Sequence, residues 1–304
     1  MLRKVLTASF LICVVSLSWG QHFCFDPSNS FSDLQISELF KGSPDTLGII
    51  NQKEISGITY SIKYPDHFWG ISDSGNGAVL YLYNGADATL KHLFILNGLN
   101  NTDWEDLTLS IEGNEGVLYI PDFGDNQAKR NIYTVYKISE PEIKSPDKKI
   151  NNLFLSPDRI KYKYAEGPRD AESIAYDPID SCLYITTKRE SMVNVYRLST
   201  EQTDSTQHIS SIGTLPLTNV VASDFSPDGM QFILKTYTNV YLWNRTSKSE
   251  SFCSMISRDP LLLSYQLEPQ GESICFFGDS FITVSEERFK ITPQLYRYQA
   301  VSKD

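Results

Sequence analysis

The chain has 304 residues, 41% of them hydrophobic and 12% aromatic, with a formal net charge of −10 and a pI near 5.0. That charge, with no basic stripe and no zinc-finger or helix-turn-helix pattern, argues against a nucleic-acid partner. The length suffices for one toroidal domain with a sizeable core.

In chain order, the first element is a targeting segment. Residues 1–20 open on Leu2-Arg3-Lys4, run mostly apolar from Val5 to Trp19 and end in Ser18-Trp19-Gly20. This is signal-peptide anatomy, too short for a membrane span, and no second apolar segment is long enough to cross. A secreted chain over 21–304, forming one domain and acting as a monomer, is the expectation. Cleavage would leave Cys24, Cys182, Cys253 and Cys275. Two disulfides with three possible connectivities, or a buried free thiol at Cys275, fit an oxidising compartment. A bridge from Cys24 would tie down the N-terminus. Asn100-Asn101-Thr102 and Asn244-Arg245-Thr246 are glycosylation sequons, meaningful in a eukaryotic host.

A first strand is predicted over 34–40. A five-residue pattern then recurs five times: Ser56-Gly57-Ile58-Thr59-Tyr60, Glu105-Asp106-Leu107-Thr108-Leu109, Glu172-Ser173-Ile174-Ala175-Tyr176, Ser223-Asp224-Phe225-Ser226-Pro227 and Glu272-Ser273-Ile274-Cys275-Phe276. Its fourth column is always small. A β unit recurring at roughly 50 residues marks propeller blades. Each copy is followed by a second apolar run ending in a polar group: Asp73, Asp122, Lys188, Tyr237 and Glu286. A third run carries Tyr or Trp, and fourth strands are predicted over 90–96, 160–164, 209–215 and 251–256. Turn signals such as Asp73-Ser74-Gly75-Asn76-Gly77 separate the runs. The prediction is an all-β, five-bladed propeller whose ring is closed by the 34–40 strand pairing with the last blade. The long step between the second and third copies holds an insertion near 139–149, so six blades is the alternative.

In such a ring the starts of the inner strands converge on one mouth of the axial channel. Glu105, Glu172 and Glu272, seconded by Asp106 and Asp224, would repel one another there and raise each other's pKa. A hard cation resolves the conflict, and an oxygen-only donor set suits calcium or another hard divalent ion. The plainer reading is that these acids cap turns or bond neighbouring strands. Around them the second-strand ends supply Asp73, Asp122, Lys188, Tyr237 and Glu286, with Asp125, Asn126, Arg130 and Arg169 nearby in sequence. Asp122 or Glu286 would position water and Lys188 would meet a substrate's negative charge. Arg169, Asp73 and Tyr237 would bind the substrate, a small anionic or other ester. The four histidines follow no nucleophile motif, and no Gly-x-Ser-x-Gly elbow or P-loop is present.

Several stretches resemble a group of poorly characterised secreted propellers. They are Asp103-Trp104-Glu105-Asp106-Leu107, Pro121-Asp122-Phe123-Gly124-Asp125-Asn126, Pro168-Arg169-Asp170-Ala171-Glu172 and Gln270-Gly271-Glu272. With Glu54-Ile55-Ser56-Gly57-Ile58 they are similar to repeats of phytase-like esterase propellers and calcium-bound relatives. The resemblance implies the fold and a channel calcium, and it transfers a reaction poorly. Two functions are therefore expected in competition: metal-dependent hydrolysis of a phosphoester or other ester, and non-catalytic recognition of an extracellular protein or glycan.

Overall fold

The computed structural model describes residues 23–25, 30–31, 34–145, 147–201 and 204–301. The proposed signal peptide lies outside them. Before the first blade come β1 (Ile36–Ser37) and β2 (Asp45–Ile49). Blade one is β3 (Ile55–Tyr60), β4 (His67–Ser72), β5 (Val79–Asn84) and β6 (Leu90–Asn97). Blade two is β7 (Thr108–Glu112), β8 (Glu115–Asp122), β9 (Tyr133–Ser139) and, after β10 (Ile150–Phe154), β11 (Asp158–Tyr164). Blade three is β12 (Ala171–Asp177), β13 (Cys182–Thr187), β14 (Val193–Ser199) and, after β15 (Gln207–Ile209), β16 (Ser211–Leu215). Blade four is β17 (Val220–Phe225), β18 (Gln231–Thr236), β19 (Val240–Asn244) and, after α1 (Phe252–Ile256), β20 (Leu261–Leu263). Blade five is β21 (Gly271–Phe277), β22 (Ser280–Ser285) and β23 (Gln294–Tyr298), completed by β2.

Burial follows from this arrangement. Middle strands such as β13 and β18 are buried almost throughout, because each blade is sandwiched between two neighbours. Alternation returns toward the outside of the blades, most regularly on an outer strand such as β6. The core accordingly divides into clusters lying between adjacent blades, such as the one where Tyr184 and Val195 of blade three meet Leu234 and Trp243 of blade four.

Five blades are present, and the N-terminus closes the ring, but not with the predicted segment. The closing strand is β2, antiparallel to β23 from Asp45↔Arg297 to Ile49↔Gln294. Its half-exposed Asp-Thr-Leu-Gly-Ile sequence carries little apolar signal to mark it as a strand. From 34–40, β1 instead pairs in parallel with β20 on blade four, and Phe40 bridges Ala300. The expected strand over 251–256 is α1. Its buried Phe252, Met255 and Ile256 keep helical spacing, and the Ser251 side chain caps it by accepting from Ser254 N. The insertion builds no sixth blade. It delivers β10, which adds in parallel to β6 of blade one, as β15 adds to β11 of blade two. Chain belonging to one blade thus clasps the outer edge of another and covers it.

One disulfide joins Cys24 to Cys253 in α1, across 229 residues of sequence, while Cys182 and Cys275 are buried free thiols. Cys24 N also donates to Ile212 O, and Phe25 packs against Gly213, where any Cβ would collide with its ring. No described helix is long and apolar enough to cross a membrane.

Candidate functional site: the acidic mouth of the axis

Strand pairing fixes which residues share a level around the axis. Ile55↔Ser72, Ala171↔Thr187, Val220↔Thr236 and Gly271↔Ser285 are equivalent pairs, each followed by a bulge, and Trp104↔Asp122 is their counterpart in blade two. The residue left unpaired by each bulge is turned out of the ladder. These residues are Ser56, Glu172, Val221 and Glu272, and Glu105 occupies the same level. The fourth repeat is thus shifted by two: Val221, not Ser223, belongs to the mouth, and Asp224 falls deeper, level with Ala175 and Cys275. The second strand of blade two is shifted by one, so Phe123 rather than Asp122 stands level with Asp73, Lys188, Tyr237 and Glu286. A one-residue slip sends a side chain to the other face.

Asp106 and Asp224 are fully occupied below the mouth. Asp106 Oδ2 accepts from Ile174 N at 3.0 Å and Ser223 N at 3.2 Å, and its Oδ1 from Leu107 N at 2.8 Å. One carboxylate therefore collects backbone donors from the inner segments of three blades. Asp224 Oδ2 accepts from Phe276 N at 2.9 Å, as Thr108 Oγ1 does from Tyr176 N at 3.0 Å. Ser173 and Ser223 hydroxyls meet at 2.5 Å. Burial holds the Asp106 carboxyl well above its usual range and pushes Asp224 up to about 8. These contacts tie blades together and fill the axis.

Above this plug the acids gather. Asp73, Asp103 and Glu105 place carboxylate oxygens within 4.8 Å of one another. Gly124 makes the approach possible: a Cβ there would lie 2.6 Å from Asp103 Oδ2 and 2.7 Å from Glu105 Oε1. Beside them Lys188 Nζ sits 2.6 Å from Glu172 Oε2 and 3.8 Å from Glu272 Oε1, over the Tyr237 ring. Tyr237 Oη donates to Glu272 Oε1 at 2.6 Å. Gln270 Nε2 donates to Glu286 Oε2 at 2.6 Å, whereas buried Glu286 Oε1 finds no partner. Burial first, then Glu172 and Asp73, holds the Glu105 carboxyl well above its usual range. Burial pushes Asp73 to about 6, Glu172 to about 8 despite Lys188, and Glu286 to about 10 with Glu272 and Asp73 adding to it. Burial also raises Asp103. Lys188 ends above its ordinary value because Glu172 and Glu272 outweigh burial. The donor set of Asp73, Asp103 and Glu105 is all oxygen, and Gly124 leaves room beside it. A hard cation fits.

The structure thus brings Glu105, Glu172, Glu272, Asp73, Glu286, Lys188 and Tyr237 together. Asp122 stands aside as a support: its Oδ1 pairs with Arg130 at 2.9 Å and accepts from Asp103 N at 3.3 Å. Arg169 pairs with Glu190 at 3.7 Å, and its N–H reaches Tyr133 Oη. Asp125 binds Arg130 N and Tyr133 Oη, and Asn126 Oδ1 accepts from Arg189, which also pairs with Asp170. Sequence reasoning missed Asp103 and Gln270 as site residues. Asp103 opens the Asp-Trp-Glu-Asp stretch, two residues from Glu105, and in extended chain such residues share a face.

No family model matches the chain, and no curated protein matches it. Among solved structures it is similar to a luciferin-regenerating enzyme, at a TM-score of 0.45 and 10% identity, over 85% of this chain and 96% of that one.

Proposed function

We propose that the protein is a secreted propeller that holds a hard divalent cation, calcium in the first instance, at the acidic mouth of its axis and hydrolyses a phosphoester or other ester there. The observation that carries this reading is the convergence of Asp73, Asp103 and Glu105. A cation held there would polarise an ester oxygen. Asp122, paired with Arg130, anchors the backbone N–H of Asp103. Glu286, raised to about 10 by burial, is placed to give a proton, and Lys188 holds Glu172 and Glu272 in place. Tyr237 orients Glu272.

The test is a panel of phosphoesters and lactones assayed with calcium and with chelator, on the parent chain and Glu105→Gln. Calcium-dependent turnover that disappears in a Glu105→Gln variant with a native melt supports hydrolysis. A chain free of metal by elemental analysis, with a melt indifferent to chelator, refutes it. One observation favours a second reading. Lys188 is spent on Glu172 and Glu272, leaving no free lysine among these mouth residues for a substrate's charge. A calcium-stabilised module that recognises an extracellular protein or glycan would show the calcium-shifted melt and no turnover.

A further inference from the structure

The loop between β22 and β23 carries a feature that the channel chemistry does not use. Ile291 N donates to Arg288 O at 2.9 Å, and the two residues form an isolated antiparallel bridge. The two residues between them, Phe289 and Lys290, both lie in the left-handed region, at φ 55° and 63°. This is a type I′ turn, which ordinarily takes Asn-Gly because larger side chains are strained there. A bulky residue at positive φ is an outlier, and such strain persists where function requires it. Phe289 is 79% exposed, so its ring recovers little by packing into the protein. The Arg288 guanidinium lies 5.5 Å from the ring centroid.

Three more apolar side chains stand out on the same corner: Leu267 at 65%, Ile49 at 55% and Ile291 at 49% exposure. Backbone bonds lace their loops together, from Glu286 N to Gln270 O, Ile50 N to Pro293 O and Glu287 N to Lys53 O. Lys53 pairs with Glu287, whereas Arg288 and Lys290 form no ion pair among the described residues. A corner that interleaves projecting apolar groups with unneutralised cations is the pattern of an interfacial anchor. The two acids that precede them in the loop are otherwise engaged, Glu286 being buried at the mouth and Glu287 paired with Lys53.

We propose that this corner is an insertion point for an anionic lipid surface, with Phe289 and its apolar neighbours entering the boundary and Arg288 and Lys290 meeting the headgroups. A protein partner is the weaker alternative, because a two-residue apex covers little of the area that a stable protein interface needs. The strain supplies the decisive test. Phe289→Asn with Lys290→Gly installs the residues the turn prefers, so it should raise the melting point by a few degrees while removing the anchor. The purified chain is floated with phosphatidylcholine vesicles, and with vesicles carrying about a third phosphatidylserine.

The parent chain should bind the anionic vesicles only, less at high salt, and the double variant should bind at least about tenfold more weakly while melting higher. Lys290→Glu should weaken binding without raising the melt as the double variant does. Three results would overturn the proposal: no binding of the parent chain to anionic vesicles, unchanged binding by the double variant, or capture by soluble polyglutamate but not by vesicles.

Discussion

Titrating the chain in chelator, and again with millimolar calcium, tests the acidic mouth most directly. A carboxyl whose folded pKa is raised holds its proton in the folded chain after the unfolded chain has released it. The folded form therefore binds more protons between the ordinary carboxylate value and the raised one, and stability falls as pH rises through that window. Glu172, buried and raised to about 8, spans roughly three pH units. At about 1.4 kcal/mol per unit and per proton, it alone costs on the order of 4 kcal/mol between pH 5 and pH 8. For a domain of this size that is on the order of 10 °C in melting temperature. Calcium binds the deprotonated acids, so its stabilisation should be small at pH 5 and large at pH 8, about 2.7 kcal/mol at a hundredfold excess over Kd. Differential scanning calorimetry at the two pH values reads all four conditions, and Glu105→Gln should erase the calcium shift. A chelated melt that rises from pH 5 to pH 8, or an equal calcium shift at both, would refute the assignment.

Four further substitutions separate site from scaffold. Gly124→Ala drives a methyl group against Asp103 and Glu105, and should cost about 1–3 kcal/mol and abolish the calcium shift in the melt. Cys24→Ser opens the 229-residue linkage, for which chain entropy predicts a loss of about 5 kcal/mol by chemical denaturation. Alkylation of the unreduced, denatured parent should label Cys182 and Cys275 but not Cys24 or Cys253. Arg245→Ala strands the Asp177 carboxylate inside the interface between blades three and four and should cost about 3–5 kcal/mol, whereas Lys53→Ala at the exposed pair with Glu287 should cost under about 1 kcal/mol; denaturant melts distinguish the two.

The blades were legible because their middle strands are continuous apolar runs bounded by turn signals, a local property of the chain. What escaped was register. Bulges push Ser56, Glu172, Val221 and Glu272 out of the ladder, and no pattern of apolar residues announces where a bulge falls. The repeat at Ser223-Asp224 looked like the others and sits two residues too deep. Asp106 shows a second limit. An acid beside the mouth reads as a ligand until its partners are known, and here they are backbone donors from other blades. Asp103 was passed over for the opposite reason: it lies outside the repeated column and enters the site only because Gly124, some twenty residues on, lacks a side chain. The closing strand was missed because an exposed edge needs few apolar residues to pair.

The seam at Asp45–Ile49 also orders events in time. A ribosome delivers β2 before any blade and β23 almost last, so Asp45 must wait for Arg297. Until then blade five has an open flank and the nascent toroid cannot lock, which makes ring closure a late, long-range step of the slow-folding kind. Cys24 and Cys253 meet across a shorter span that is complete before β23 emerges, so their oxidation reports the docking of the N-terminus near α1 and not the closing of the ring.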